Sequence, residues 1–180
     1  MLDEAAAPVT TDDAVRGMLR ARIDDGYRLA TFILHDPLAA EDAVQEAALL
    51  AWDRRRSLRD SESADGWFTR ILVNVCRDEL RRRARWPRVV ALDPEADATT
   101  AGGRQSAPLA DRADLAPALG RLTPDEQALL ALRFGRELTV PEIADQLRVP
   151  EGTVKSRLHS TLRHLRAALD AERRLEEASR

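Results

Sequence analysis

Cysteine is nearly absent: Cys76 stands alone in 180 residues, so no internal disulfide can form. The three histidines, His35, His159 and His164, make no zinc-ligand spacing with it, and no metal or cofactor is expected. Aromatic residues are only 4% of the chain. A β-sandwich draws more heavily on aromatic and β-branched side chains, so the shortage favours short helices around small cores. Long apolar runs are missing too; none approaches the ~20 residues that cross a bilayer. The opening MLDEAAAPVTTDD has neither the basic nor the apolar stretch of a signal peptide. The expectation is a cytoplasmic chain with no membrane insertion. No nucleophile–base pair, glycine-rich phosphate loop or metal cluster is visible. An enzyme is therefore not expected, and no catalytic residue is named.

Charge is plentiful by contrast. Charged residues are 33% of the chain, with a formal net charge of −3. That total alone argues against nucleic acid, but its distribution argues the other way. Trp67 to Arg88 carries seven arginines against Asp78 and Glu79, a net of +5. Arg148 to Arg166 carries four arginines and one lysine against Glu151, a net of +4. Asp36 to Asp65 carries eight acids against four arginines, a net of −4. Separate blocks of opposite sign point to separate partners, because a local field attracts by its own sign.

Periodicity then sets the elements. Residues 1–12 read as a flexible tail. Val15, Leu19, Ile23, Tyr27, Ala30 and Leu34 recur at three- and four-residue steps and predict a helix over 13–35. Asp36-Pro37 ends it, since a residue before proline avoids the helical region. A second helix runs from about Ala39 to about Arg56, with Ala43, Val44, Ala47, Leu50 and Ala51 inward. After a polar loop, Trp67, Phe68, Ile71, Leu72, Val75, Cys76 and Leu80 make the wide apolar face of a third, which ends at Arg85. Trp67 and Phe68 are expected in the core, and Cys76 as a buried thiol. From Val89 to Ala113 periodicity disappears, and Asp, Pro, Ala, Thr, Gly and Ser make an acidic linker. Helical pattern returns at Asp114. Thr123-Pro124-Asp125-Glu126 and Thr139-Val140-Pro141-Glu142 are capping boxes with proline in the first turn, so helices start near Pro124 and Val140. The fold class is all-α: two small helical domains joined by a flexible linker.

TVPEIADQLRVPEGTVKSRL has helix-turn-helix spacing. Ile143 and Leu147 face inward, Ala144 is small at the crossing, Val149 sits in the turn, and Val154 and Leu158 point back. Thr153, Lys155, Ser156, Arg157 and His159 are left to face outward or flank the seam, as a recognition helix in a major groove requires. Lys155, Arg157 and Arg163 can neutralise phosphates, and the helix N-terminus near Gly152-Thr153 favours another. An ordinary helical hairpin with a solvated charged face has the same pattern. Arg148 stands at a turn position where many helix-turn-helix proteins carry glycine.

PEIADQLRVPEGTVKSRLHSTLRHLR resembles the fourth conserved region of bacterial sigma-70 factors of the small extracytoplasmic-function (ECF) group. EDAVQEAALLAW resembles their second region, and WFTRILVNVCRDELRRRAR the helix that meets the promoter's minus-ten element. The three motifs stand in family order with a linker before the last. The resemblance implies a transcription initiation factor with core RNA polymerase and promoter DNA as partners, restrained by an anti-sigma factor. It implies region 2 over 13–88, a linker over 89–113, region 4 over 114–172 and a tail over 173–180. Glu41, Asp42, Gln45 and Glu46 match the acidic block that binds the polymerase clamp. Asn74 matches the asparagine of the minus-ten helix, with Arg70, Arg77, Arg81 and Arg82 as neighbouring contacts, and the loop 57–63 lies where the family holds a flipped base. Thr153, Lys155, Ser156, Arg157, His159 and Arg163 fall on the minus-thirty-five face; His164 is expected to be a solvated surface residue. Ala43 and Ala48 stand where the family carries larger side chains, and Ser160-Thr161 where it carries Arg-Ala. A stand-alone helix-turn-helix regulator on an operator is the competing reading. It leaves the acidic helix and the WFTRILVN helix without a task.

Overall fold

Residues 11–58, 64–85 and 109–178 are described by the structure, a computed structural model. Among the described residues every regular element is helical. The helices are α1 (Thr11–Leu34), α2 (Pro37–Asp53), α3 (Ala64–Arg85), α4 (Leu109–Gly120), α5 (Pro124–Leu130), α6 (Val140–Leu147) and α7 (Glu151–Ala178). A 3-10 turn, Arg55–Ser57, follows α2, and a π-turn, Ala131–Gly135, follows α5. None of the described helices is long and apolar enough to cross a membrane.

The first bundle is α1, α2 and α3. Leu29, Ala30 and Ile33 of α1 share a core with Ala40, Ala43, Val44 and Ala47 of α2 and with Phe68, Leu72 and Cys76 of α3. An α2 face made of alanines lets its neighbours approach closely, and Gly26 does the same from α1. A Cβ at Gly26 would sit 3.3 Å from Leu72 and 3.4 Å from the Phe68 ring. Trp67 and Phe68 are buried, as their spacing predicts. The α1 stripe needs correction: Ile23 is exposed, while Leu29 and Ile33 are buried. A four-residue step overshoots a 3.6-residue turn by about 40°, so a stripe begun at Val15 has rotated away by Ile23. Asp36 both follows α1 and opens α2, its carboxylate accepting the Ala39 N–H at 3.1 Å with Pro37 in the first turn. The second helix therefore starts two residues before Ala39, and it stops at Asp53 because the chain tightens into the 3-10 turn. Trp52 lies between the guanidiniums of Arg16 and Arg55, and Arg55 reaches Asp12 at 2.6 Å, tying the start of α1 to the end of α2.

The second bundle is α4 to α7. Thr123 caps α5 with both arms of the box in place, and Glu142 accepts from the Thr139 N–H and hydroxyl at 2.7 and 2.6 Å before α6. Two boundaries differ from expectation. Helix α4 begins at Leu109, inside the segment read as linker, and α7 continues through Ala178, across most of the expected tail. Ala168 is buried and Arg121 meets Glu172 at 2.6 Å, so α4 gives the far half of α7 a packing partner that periodicity alone does not reveal. Residues 1–10, most of the loop 57–63 and linker positions 86–108 lie outside the described residues. The expected tail likewise gives way to helix at Thr11.

The two bundles pack together, a choice the sequence leaves open. Ala128, Leu129, Leu132, Ile143, Ala144 and Val154 belong to the same buried cluster as the α1–α3 core. The Phe32 ring lies where a Cβ on Gly135 would come within 3.4 Å of it, so α1 lies directly against the π-turn.

Candidate nucleic-acid and protein interfaces

Three faces carry the residues singled out from sequence. The first is the outer side of α2. Because Ala40, Ala43, Val44 and Ala47 point inward, helical periodicity turns Glu41, Asp42, Gln45 and Glu46 outward together, and all four are exposed. Leu38 and Leu49 flank them at 77% and 70% exposure. Acids framed by apolar side chains suit a basic protein surface better than a polyanion.

The second face is on α3. Its apolar side holds Phe68, Leu72, Val75 and Cys76 in the core, leaving Arg70, Asn74, Arg77 and Arg81 on the side toward the second bundle. Burial pushes the Cys76 thiol up to about 12, which leaves it protonated and unreactive. Asn74 is exposed and accepts from Arg77 at 3.5 Å. Arg77 donates to Asp125 through Nε at 2.6 Å, and Arg81 meets the same oxygen at 3.2 Å. Arg70 Nε donates to the Gln146 carbonyl at 3.0 Å. Arg82 turns instead to Glu79, and Arg83 bridges Glu79 at 2.8 Å and Asp36 at 2.9 Å, fastening α3 to the start of α2. Burial works to raise the Glu79 carboxyl, but Arg83 and Arg82 outweigh it and hold the group below the ordinary range. A cavity of about 310 Å³ opens beside Asn74, lined by Arg54, Ser57, Trp67, Arg70, Ile71 and, from the second bundle, Arg148.

The third face is the first half of α7. Val154 is buried and Leu158 half-buried against α6, so Lys155, Ser156, His159 and Arg163 stand exposed on the outer side, with Thr153 half-buried at the seam, while Arg157, also exposed, lies on the other flank and lines a cavity with Arg77 and Asp125. Lys155 pairs with Glu151 at 3.4 Å, an exposed contact that a phosphate can displace. Ser156 donates its hydroxyl to the Thr153 carbonyl at 3.0 Å. The Thr153 N–H is bonded to the Pro150 carbonyl at 2.9 Å, so that amide is already engaged at the helix start. His164 is exposed, as expected, and its Nδ1 also lies 2.6 Å from Glu126 Oε1. Burial favours a raised Glu126 carboxyl, but bonds from Thr123 and His164 hold it lower.

The sequence brought these faces out but missed what meets α3. Asp125 reads as a first-turn acid, Gln146 as a polar helix residue, and Arg148 as an odd turn residue. Gln146 is in fact buried and donates to the Gly66 carbonyl at 2.6 Å, while Arg136 meets Asp65 at 3.0 Å. Only Arg148 carried a signal. It holds φ 54°, the left-handed region where glycine would be free of strain.

Residues 18–86 match the family described as Sigma-70 region 2, and residues 118–167 the one described as Sigma-70, region 4. The ECF RNA polymerase sigma factor SigL of Mycobacterium tuberculosis is 33% identical over 166 residues, covering 87% of this chain and 91% of its own. The RNA polymerase sigma-E factor of Streptomyces coelicolor is 31% identical over 153 residues, 85% of this chain and 84% of its own. Among solved structures, the sigma factor RpoE of Bartonella quintana, in complex with the anti-sigma factor NepR, superposes with a TM-score of 0.64 at 22% identity. That match spans 87% of this chain and 97% of the other, and it is a likeness of fold.

Proposed function

This chain belongs to the ECF group of the sigma-70 family and directs RNA polymerase to promoters, and we propose that its three faces divide that work between them. The outer side of α2 binds the polymerase clamp through Glu41, Asp42, Gln45 and Glu46. The α3 face reads the melted minus-ten strand, with Asn74 at a base edge and Arg70, Arg77, Arg81 and Arg82 along the backbone. An amide both donates and accepts, which suits an exposed base edge. The start of α7 enters the major groove at the minus-thirty-five element, with Thr153, Lys155, Ser156, Arg157, His159 and Arg163 toward the DNA. Region 2 is taken over 13–88 and region 4 over 114–172, the chain working in the cytoplasm beside its polymerase.

The observation that carries this division is the sign of each face: acids gathered outward on α2, cations gathered on α3 and on the start of α7. An anti-sigma factor is the proposed regulator, and the fold likeness to a sigma factor solved with one supports looking for it. Run-off transcription tests the reading, with core polymerase and fragmented genomic DNA of the organism that encodes the chain. New transcripts sharing two spaced upstream elements are expected. The double variant Glu41→Lys, Asp42→Lys should abolish them by failing to capture core, whereas Arg157→Ala should leave core capture intact and lose the transcripts.

A further inference from the structure

A cleft of about 470 Å³ lies within the second bundle, between α7 and the corner where α4 meets α5. That is the size of a small-molecule site. Leu122, Leu129, Leu147 and Ala168 give it an apolar wall. Arg157, Thr161, His164 and Ala168 recur at four-, three- and four-residue steps, so they line it from one face of α7. Two groups on that face have no partner among the described residues. The first is the Thr161 hydroxyl: the residue is 1% exposed and its oxygen makes no hydrogen bond. A helical threonine usually turns to the carbonyl one turn back, but the Arg157 carbonyl already accepts the Ser160 hydroxyl at 2.9 Å. A buried hydroxyl left in this way is costly, and an oxygen on a ligand would satisfy it. The second is a charge. Arg121 pairs with Glu172, His164 with Glu126, and Asp125 with Arg77 and Arg81. Arg157 is exposed and makes no ion pair among the described residues.

We propose that this cleft binds an amphipathic carboxylic acid of about ten carbons, with its carboxylate on the Arg157 guanidinium, an oxygen substituent partway along its chain on the Thr161 hydroxyl, and its apolar remainder against Leu122, Leu129 and Ala168. The order follows the helix. Thr161 stands about 6 Å along the axis from Arg157, and Ala168 about 10 Å further. One unmatched cation, with Asp125 and Glu126 on the same wall, suits a monoanion and disfavours a phosphate dianion. Ser160-Thr161 stands where the family carries Arg-Ala, so the buried hydroxyl belongs to this chain. The site is argued from the cleft alone and does not rest on the reading of α7 as a promoter-binding helix.

The test titrates 5-hydroxydecanoate, decanoate and decanamide into the full chain, below the concentrations at which they aggregate, and follows methyl NMR signals. Shifts should saturate at Leu122, Leu129 and Ala168, with 5-hydroxydecanoate bound at about 1 mM or tighter, as a ligand of this size allows. Decanoate should bind about fivefold more weakly for want of one hydrogen bond. Decanamide should bind about tenfold more weakly than decanoate for want of charge. Thr161→Val keeps the side-chain shape and should erase the advantage of 5-hydroxydecanoate; Thr161→Ser should keep it. Arg157→Ala should bring decanoate down to the level of decanamide. Decanamide bound as tightly as decanoate would overturn the anionic class. A hydroxyl advantage that survives Thr161→Val, or is lost in Thr161→Ser, would overturn the role of Thr161. Shifts that never saturate, or that fall on the exposed Leu38 and Leu49 of α2 instead, would overturn the site.

Discussion

Glu126 does three jobs with one carboxylate: it accepts the Thr123 N–H at 2.9 Å, the Thr123 hydroxyl at 2.8 Å and His164 at 2.6 Å. The sequence disclosed the first two because a capping box is local, its two ends three positions apart; it hid the third because His164 is a sequence stranger to α5. Since the folded carboxyl titrates below its ordinary value, its contribution is fully present above about pH 4.3 and drains as pH falls through the lower folded value. Glu126→Ala should therefore cost about 1 kcal/mol at pH 7, a typical cap loss. The deficit should shrink toward pH 3, as read by urea unfolding at each pH. Cys76 offers a simpler check. Its buried, protonated thiol should resist iodoacetamide in the native chain and react fully in urea. Fast labelling of the native protein would contradict the packing of α3.

At the scale of elements, the helix starts were the most legible features. Thr123 announces a helix through a hydroxyl that accepts an unpaired N–H, and Thr139 through the Glu142 carboxylate that accepts from it, with proline in the first turn sharpening both; Asp36 caps α2 in the same way, but the spacing put that start two residues late. Ends were less legible, because they depend on partners. Helix α7 outruns its expected limit since α4 packs along it and Arg121, just past the end of α4, pairs with Glu172. The first half of α7 was legible because burial of Ile143, Ala144 and Val154 follows directly from spacing. Its exposed cations give an ionic readout. Lys155→Ala should reduce the salt dependence of promoter binding by the holoenzyme by about 0.9 in the log–log slope, the release of one counterion. Equal slopes for wild type and variant, from filter binding at graded salt, would remove Lys155 from the phosphate contacts.

On the whole-molecule scale, the charge blocks foretold separate partners but not their mutual contact. Asp125 and Arg77 are 48 residues apart, and no periodic rule pairs them. Gln146 and Gly66 are 80 apart, with an undescribed stretch of chain between. The acidic α2 face predicts a steering effect in the other direction. Glu41→Lys with Glu46→Lys should slow association with core polymerase by about tenfold at low salt and far less at high salt, measured by stopped-flow fluorescence.

The shared core has a thermal consequence. Two domains that each own a hydrophobic centre melt as two events, but Leu132 and Val154 of one bundle lie in the same buried cluster as Phe68 and Leu72 of the other. Heat has no seam of water along which to part them first. The chain should give one calorimetric endotherm with matching calorimetric and van't Hoff enthalpies, although its sequence is written as two regions.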